Sequence, residues 1–147
     1  MIEYIPMNIQ HVPQIAELEK LCFNDPWSEN SIASELDNRL SCWLVAIADD
    51  KVVGYVGSQT VLGETDMMNI AIHPDYRKQG IATELISALI EALNERSSHS
   101  LMLEVRASNE PAKSLYLKLG FEVVGIRKNY YRNPREDALI LRKEWNL

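Results

Sequence analysis

The pattern of hydrophobic and polar positions predicts an antiparallel meander in the first half of the chain. Residues 42–48 and 52–61 are apolar runs joined by the polar turn of residues 49–51, and residues 65–72 follow a turn at Gly63. Apolar runs of this length, bounded by turn residues, are typical of neighbouring strands. Consecutive strands joined by short turns usually pair with one another, so we expect three antiparallel strands here.

Helical periodicity marks four other segments. After a short strand at residues 2–6, apolar residues recur every three or four positions from 12 to 22, and Ser28 is placed to cap a second helix. A third helix runs from Ile81 to about residue 93, and a fourth follows the cap residue Asn109 and ends near Gly120. A strand at residues 100–105 follows the third helix, so this strand, helix and strand predict one parallel pair.

The end of the chain predicts a final hairpin. Residues 121–126 and 138–141 have strand character, and the segment between them is polar and basic, with four arginine or lysine residues between 127 and 135. We interpret this segment as a loop at the hairpin tip. It is either a solvated tip or a wall of a binding groove, in which case Tyr130 and Tyr131 are the residues of interest.

Length and composition limit the possible functions. The 147 residues are expected to form one domain, residues 1–147. A net charge of −6 argues against a broad basic surface for nucleic acid. The longest apolar run is far shorter than a bilayer span, so we expect a cytoplasmic protein without membrane contact. The two cysteines and three histidines are scattered, and we expect no metal site.

The segment from residue 69 to 93 has the order expected of an anion site. A short apolar strand is followed by a turn, by the basic loop of residues 76–80, and by the third helix. The first backbone N–H groups of a helix lack internal partners and carry partial positive charge, so they bind phosphate well. Gly80 permits close approach of an anion to the backbone. The alternative is a strand, a turn and a helix with a glycine at the junction and no ligand.

The sequence Arg-Lys-Gln-Gly-Ile-Ala in this loop resembles the R/Q-x-x-G-x-G/A signature of the GCN5-related N-acetyltransferases, the GNAT family. Arg77, Gly80 and Ala82 occupy its three defining positions, with Ala82 in place of the commoner second glycine. The resemblance implies an α/β fold with a mixed, mostly antiparallel sheet, one parallel strand pair at the acetyl-CoA site, and flanking helices. It also implies that acetyl-CoA is the co-substrate.

Further segments are similar to one branch of this family, the ribosomal-protein alanine N-acetyltransferases of the RimI type. They are residues 25–28, 103–109, 114–121, 129–131 and 135–138. The similarity implies acetyl transfer to the N-terminal α-amino group of a protein, with alanine of a small-subunit ribosomal protein as the type case. Two rivals stay open: a GNAT enzyme for a protein lysine or a small amine, and a silent acetyl-CoA-binding module.

Two residues match the catalytic positions of this branch. Glu104 corresponds to the proton acceptor and Tyr116 to the proton donor. Alternation alone would make Glu104 a solvent-facing strand residue, and Tyr116 would ordinarily be a core aromatic. An α-amino group loses its proton more easily than a lysine by about 3.5 kcal/mol, so a carboxylate can serve as its base. The similarity favours direct attack by the amine, without an acyl-enzyme.

The resemblance also assigns residues to the co-substrate. Asn109 is expected both to cap its helix and to hydrogen-bond acetyl-CoA, and the strand before the loop is expected to lie along the pantetheine arm. The full predicted set is Ile70, Ala71, Ile72, Arg77, Lys78, Gln79, Gly80, Ile81, Ala82, Thr83 and Asn109. Trp27, at a break between two helices, is either a core plug or a wall of the acceptor groove.

Overall fold

The computed structural model describes residues 1–145, so the last two residues of the predicted domain lie outside the described part. Seven strands occur there: β1 (Ile2–Pro6), β2 (Ser41–Ala48), β3 (Lys51–Val61), β4 (Glu64–Ile72), β5 (Ser100–Arg106), β6 (Glu122–Tyr131) and β7 (Glu136–Glu144). The α-helices in the same residues are α1 (Val12–Cys22), α2 (Glu29–Ser34), α3 (Ile81–Glu95) and α4 (Glu110–Lys118). None of these helices is long and apolar enough to cross a membrane.

The strands form one mixed sheet in the order β1-β2-β3-β4-β5-β7-β6. Strands β4 and β5 are parallel, and every other neighbouring pair is antiparallel. The predicted fold class is therefore confirmed, including the parallel pair on either side of the third helix.

Two hydrophobic cores lie on opposite faces of this sheet. Along β2, Leu44 and Ala46 pack with the buried residues of α3, whereas Trp43 and Val45 pack with those of α1. Side chains alternate between the faces of a strand, so β2 supplies both cores. Helices α3 and α4 cover one face and α1 and α2 the other. On β5 the buried residues Leu101, Leu103 and Val105 face α3, which turns Met102, Glu104 and Arg106 toward the α1 side.

The parallel pair is joined at only one end. Pairing covers Glu64 to Asp66 on β4 and Ser100 to Met102 on β5, and both strands continue beyond it without pairing to each other. A bulge explains the separation, because Gly57 lies opposite Asn69 and Ser58 opposite Met67, which leaves Met68 as an extra residue in β4. Bulges bend the strand that carries them. The remainder of β4 thus has a free backbone edge facing an open cleft.

The predicted loop at residues 127–135 is wrong in its extent. Strand β6 continues to Tyr131, and only residues 132–135 form the turn to β7. The reason is that β6 is the edge strand, and nearly all of its residues are exposed. Charged residues on an exposed edge strand are common because they prevent further pairing, so polarity did not indicate a loop here.

Candidate active site

The basic loop and the start of α3 form an open cradle of backbone groups. Gly80 is the N-cap of α3, with φ +82° and ψ 9°, and no side chain caps the first amides of the helix. A Cβ atom placed on Gly80 would meet nothing within 4 Å, so the space above it is open. The first intrahelical bond runs from Glu84 N–H to the Gly80 carbonyl at 3.1 Å, which leaves the earlier N–H groups for a ligand. This geometry fits the pyrophosphate of the predicted acetyl-CoA.

The loop side chains contribute unequally. The Arg77 guanidinium donates from Nε to the Ile72 carbonyl at 3.1 Å and reaches Cys22 Sγ at 3.5 Å. It therefore ties the loop to the end of β4 while its charge stays at the surface. Lys78, with φ +63°, and Gln79 are exposed beside it. Ile81 is only 2% exposed, so its backbone alone is available to a ligand.

The remaining residues predicted to hold acetyl-CoA lie in β4, in the first turn of α3 and at the N-cap of α4. Ala82 and Thr83 are partly exposed in the first turn of α3, and Ile70 and Ile72 are partly exposed on the free edge of β4, where Ala71 is buried. Asn109 caps α4, since its Oδ1 accepts a hydrogen bond from Ala112 N–H at 3.2 Å. The predicted cap is confirmed, and the amide nitrogen of Asn109 stays available to a ligand.

Glu104 is held by an ion pair with Arg127 and interacts with Tyr130 of β6. Its side chain is 28% exposed, and Arg127 Nε lies 2.9 Å from the buried Oε2. A buried carboxylate oxygen is costly to leave unpaired. Arg127 therefore fixes the orientation of the carboxylate, and the partly exposed remainder of the side chain is the part that a ligand can reach.

Tyr116 lies in the core on the α3 side of the sheet. It is 5% exposed, and its ring packs edge-on against Phe121 with centroids 5.5 Å apart. Burial, with a smaller effect from Tyr131, raises the pKa of Tyr116 to about 12. The hydroxyl therefore keeps its proton at neutral pH and is a hydrogen-bond donor.

Tyr131 lies between the two predicted catalytic residues. Burial, followed by the charge of Glu104, raises the pKa of Tyr131 to about 12, and Tyr131 in turn affects Tyr116. The Arg106 guanidinium stacks over the Tyr131 ring at 4.5 Å. Glu104 and Tyr116 make no direct contact with each other, so a reacting group bound between them would bring them into one site.

Arg106 and Glu136 hold the β6–β7 turn in place. Arg106 donates to the carbonyls of Arg132 and Pro134, each at 2.9 Å, and pairs with Glu136 at 3.3 Å. Glu136 also accepts a 2.6 Å hydrogen bond from Ser108 N–H. These contacts fix the turn against the end of β5, beside Glu104.

The loop between α1 and α2 borders the same region. Asn24 Nδ2 donates to the Asn133 carbonyl at 3.2 Å and thereby joins this loop to the β6–β7 turn. Trp27 is partly buried, and its ring packs edge-on against Trp43 at 5.4 Å. Trp27 thus anchors the loop in the core on the α1 side of the sheet.

The ion pair between Glu104 and Arg127 was missing from the sequence interpretation. Glu104, Ile140 and Gly125 form one row across β5, β7 and β6, and Arg127 is two residues beyond Gly125 on the same face. The arginine side chain therefore reaches diagonally across β7. The signal lies in the strand order, which places β7 between β5 and β6 and is not apparent from local periodicity.

The sequence is similar to those of known acetyltransferases. The model of the family described as "Acetyltransferase (GNAT) family" matches residues 12–121. A Bacillus subtilis protein is 39% identical over 136 residues, which are 92% of this chain and 90% of that protein, and its name, given provisionally, is ribosomal protein bS18-alanine N-acetyltransferase. The Escherichia coli protein with the same name is 39% identical over 132 residues, 88% of each chain.

A solved structure agrees with these relatives. The crystal structure of the ribosomal-protein-S18-alanine N-acetyltransferase from Escherichia coli superposes with a TM-score of 0.92 at 34% identity. The match covers 100% of this chain and 96% of that one.

Proposed function

Because the chain belongs to the GNAT family of acetyltransferases, we propose that it transfers the acetyl group of acetyl-CoA to the N-terminal α-amino group of a protein. The proposed acceptor is the N-terminal alanine of a small-subunit ribosomal protein, the acceptor class in the names of its relatives. Residues 1–147 act as a single acetyltransferase domain in this proposal. The reaction takes place in the cytoplasm, where such an acceptor is made.

The observation that carries the proposal is the position of Glu104, which lies on β5 just beyond the point where β5 separates from β4 and is oriented by Arg127 at 2.9 Å. The thioester would lie in the cleft between β4 and β5, with the pantetheine arm along the free edge of β4 and the pyrophosphate at the start of α3. Glu104 faces the α1 side of the sheet, and the α1–α2 loop contacts the β6–β7 turn through the hydrogen bond from Asn24 to Asn133, so we place the peptide end on this side. This arrangement supports a ternary complex in which both substrates are bound together.

The proposed reaction proceeds by direct attack. The neutral α-amine attacks the thioester carbonyl carbon, and Glu104, alone or through a water molecule, takes the proton that the nitrogen loses as the amide forms. An N–H group of β4 can donate to the carbonyl oxygen as negative charge develops there. The C–S bond then breaks, which yields the acetylated amine and the thiolate of coenzyme A.

The raised pKa of Tyr116 defines its part in this scheme. Full proton transfer from a group of pKa about 12 to a thiolate of pKa about 8.5 is uphill by about 5 kcal/mol. We therefore assign Tyr116 a hydrogen bond to the developing thiolate, which takes its proton from solvent after it leaves. A donor that stays protonated at all physiological pH values suits this role.

Two short peptides test the proposal with the purified protein and acetyl-CoA. One has a free N-terminal alanine, and the other has a blocked N-terminus and an internal lysine. We expect acetylation of the free N-terminus, detected by mass spectrometry. Transfer to the lysine peptide alone would contradict the acceptor class and leave the co-substrate in place. Transfer to neither peptide, with acetyl-CoA bound, would favour a small-molecule amine or a silent binding module.

A further inference from the structure

A buried carboxylate outside the proposed chemistry connects the two substrate sides of the site. Glu19, in α1, is 1% exposed. It accepts hydrogen bonds from the backbone N–H of Trp27 at 2.9 Å, from Asn69 Nδ2 at 2.6 Å, and from the hydroxyl of Tyr55. Its partners thus belong to the α1–α2 loop, to β4 and to the core strand β3.

The bond to Trp27 closes the α1–α2 loop at its base. The contact from Glu19 Oε1 to the Trp27 N–H spans residues 20–26, and the Phe23 N–H bonds to the Glu19 backbone carbonyl at 2.9 Å within that span. Near the middle of the same span, Asn24 reaches the Asn133 carbonyl of the β6–β7 turn at 3.2 Å. The conformation that Glu19 imposes on the loop therefore determines whether Asn24 meets the turn on the acceptor side.

The bond to Asn69 acts where β4 separates from β5. Asn69 directly follows the bulged residue Met68, and its Oδ1 also accepts from Ile70 N–H at 3.2 Å. Asn69 therefore links Glu19 to the backbone edge that faces the acetyl-CoA cleft. One carboxylate contacts the acceptor side through one oxygen and the co-substrate side through the other.

Burial of a carboxylate at this position is energetically unfavourable. Burial raises the pKa of Glu19, while the donors from Trp27 and Asn69 partly offset that effect. A packed hydrophobic residue of similar volume commonly costs a protein less than a buried charge. Placement of three donors from three separate elements, however, requires an acceptor with two oxygens.

We propose that Glu19 is a positioning residue that holds the α1–α2 loop and the bulged end of β4 in a fixed relation. It thereby sets the approach of the acceptor amine to the thioester. This inference rests on the proposed function for its kinetic readout, and a structural readout tests it separately.

The decisive experiment compares Glu19→Gln with Glu35→Gln. Glu35 is a matched control, since it is also buried, at 8% exposed, and accepts from Ser41, Trp43 and Gln59. We expect Glu19→Gln to lower kcat/KM for the free N-terminal alanine peptide at least tenfold and to leave the Kd of coenzyme A within threefold. Glu35→Gln should leave both constants within twofold of the wild-type values, even if it lowers Tm as much as Glu19→Gln does.

Hydrogen exchange gives a readout that needs no acceptor. Glu19→Gln should speed exchange in residues 20–28 and around Asn69, and Glu35→Gln should not. Asn24→Ala, at an exposed site, keeps the test valid if Glu19→Gln fails to fold, and it should lower acceptor kcat/KM at unchanged coenzyme A affinity.

The inference would be overturned if Glu19→Gln and Glu35→Gln lowered kcat/KM for the alanine peptide equally. It would also be overturned if hydrogen exchange in residues 20–28 were unchanged in Glu19→Gln. If the wild-type protein acetylates neither peptide, the proposed function fails, and the exchange data alone decide whether Glu19 positions the loop.

Discussion

The substitution Gly80→Ala tests the phosphate cradle with a single methyl group. The φ of +82° at Gly80 is a left-handed conformation that alanine adopts poorly. The added Cβ would contact nothing in the protein within 4 Å. The methyl group would therefore occupy the space that the pyrophosphate needs in order to approach the first amides of α3.

Two separate magnitudes follow from this geometry. Left-handed strain costs about 1–2 kcal/mol of folding free energy, or roughly 2–8 °C in Tm for a chain of this size. A charge-assisted hydrogen bond to phosphate contributes about 1.5–3 kcal/mol, so the loss of one raises the Kd of coenzyme A about 10- to 150-fold. The second effect exists only if the phosphate binds at Gly80.

Gly63→Ala supplies the control. Gly63 has the same φ of +82°, and its added Cβ would meet the ring of the exposed residue His99 at 3.2 Å and the Ser97 carbonyl oxygen at 3.5 Å. Both variants should lose similar stability in a thermal melt, but calorimetry should show weakened coenzyme A binding in Gly80→Ala alone. A Kd for Gly80→Ala within twofold of the wild-type value, at reduced Tm, would refute the assignment of the cradle.

Three other predictions concern the chemistry. Glu104→Gln should lower kcat about 100-fold or more in steady-state assays, which is the usual contribution of a general base, and should change the KM of acetyl-CoA little. An equal loss of kcat in Arg127→Gln would instead indicate that the Glu104–Arg127 ion pair matters mainly for structure. Tyr116→Phe should lower kcat about 10- to 100-fold at unchanged Tm, because it removes one donor from a packed ring, and a larger loss of Tm than of rate would contradict this role. In a pH profile, kcat/KM for the acceptor should rise up to about pH 8 as the α-amine loses its proton and should show no decline by pH 10, because the pKa of Tyr116 is about 12.

The sequence predicted the elements well because their signals are local. Apolar runs bounded by turn residues located the strands of the meander. Ser28 and Asn109 are the N-caps of α2 and α4 as expected, and α3 begins beside Gly80 as expected. Each of these signals depends on a few neighbouring residues. The parallel pair followed from a rule of connection, since a helix between two strands of one sheet returns the chain in the same direction.

The arrangement of side chains around Glu104 could not be predicted from local sequence signals. Periodicity indicates which face of a strand is buried but not which strand is its neighbour, so the insertion of β7 between β5 and β6 was not predicted. The contact from Arg127 to Glu104 depends on that order. Within β4 itself, no glycine or proline marks the bulge at Met68. The sequence pattern therefore predicted neither the bulge nor the separation of β4 from β5.

The charges near Glu104 also bear on the choice of acceptor. Arg127 lies 2.9 Å from its carboxylate, and Arg106 lies over the neighbouring Tyr131 ring. A substrate ammonium must enter beside these cations, whereas a neutral amine meets no such repulsion. At pH 7 the neutral form costs about 1 kcal/mol for an α-amine and about 4.6 kcal/mol for a lysine. A site that admits the neutral amine therefore favours a protein N-terminus by about 3.5 kcal/mol before any side chain of the acceptor is recognised.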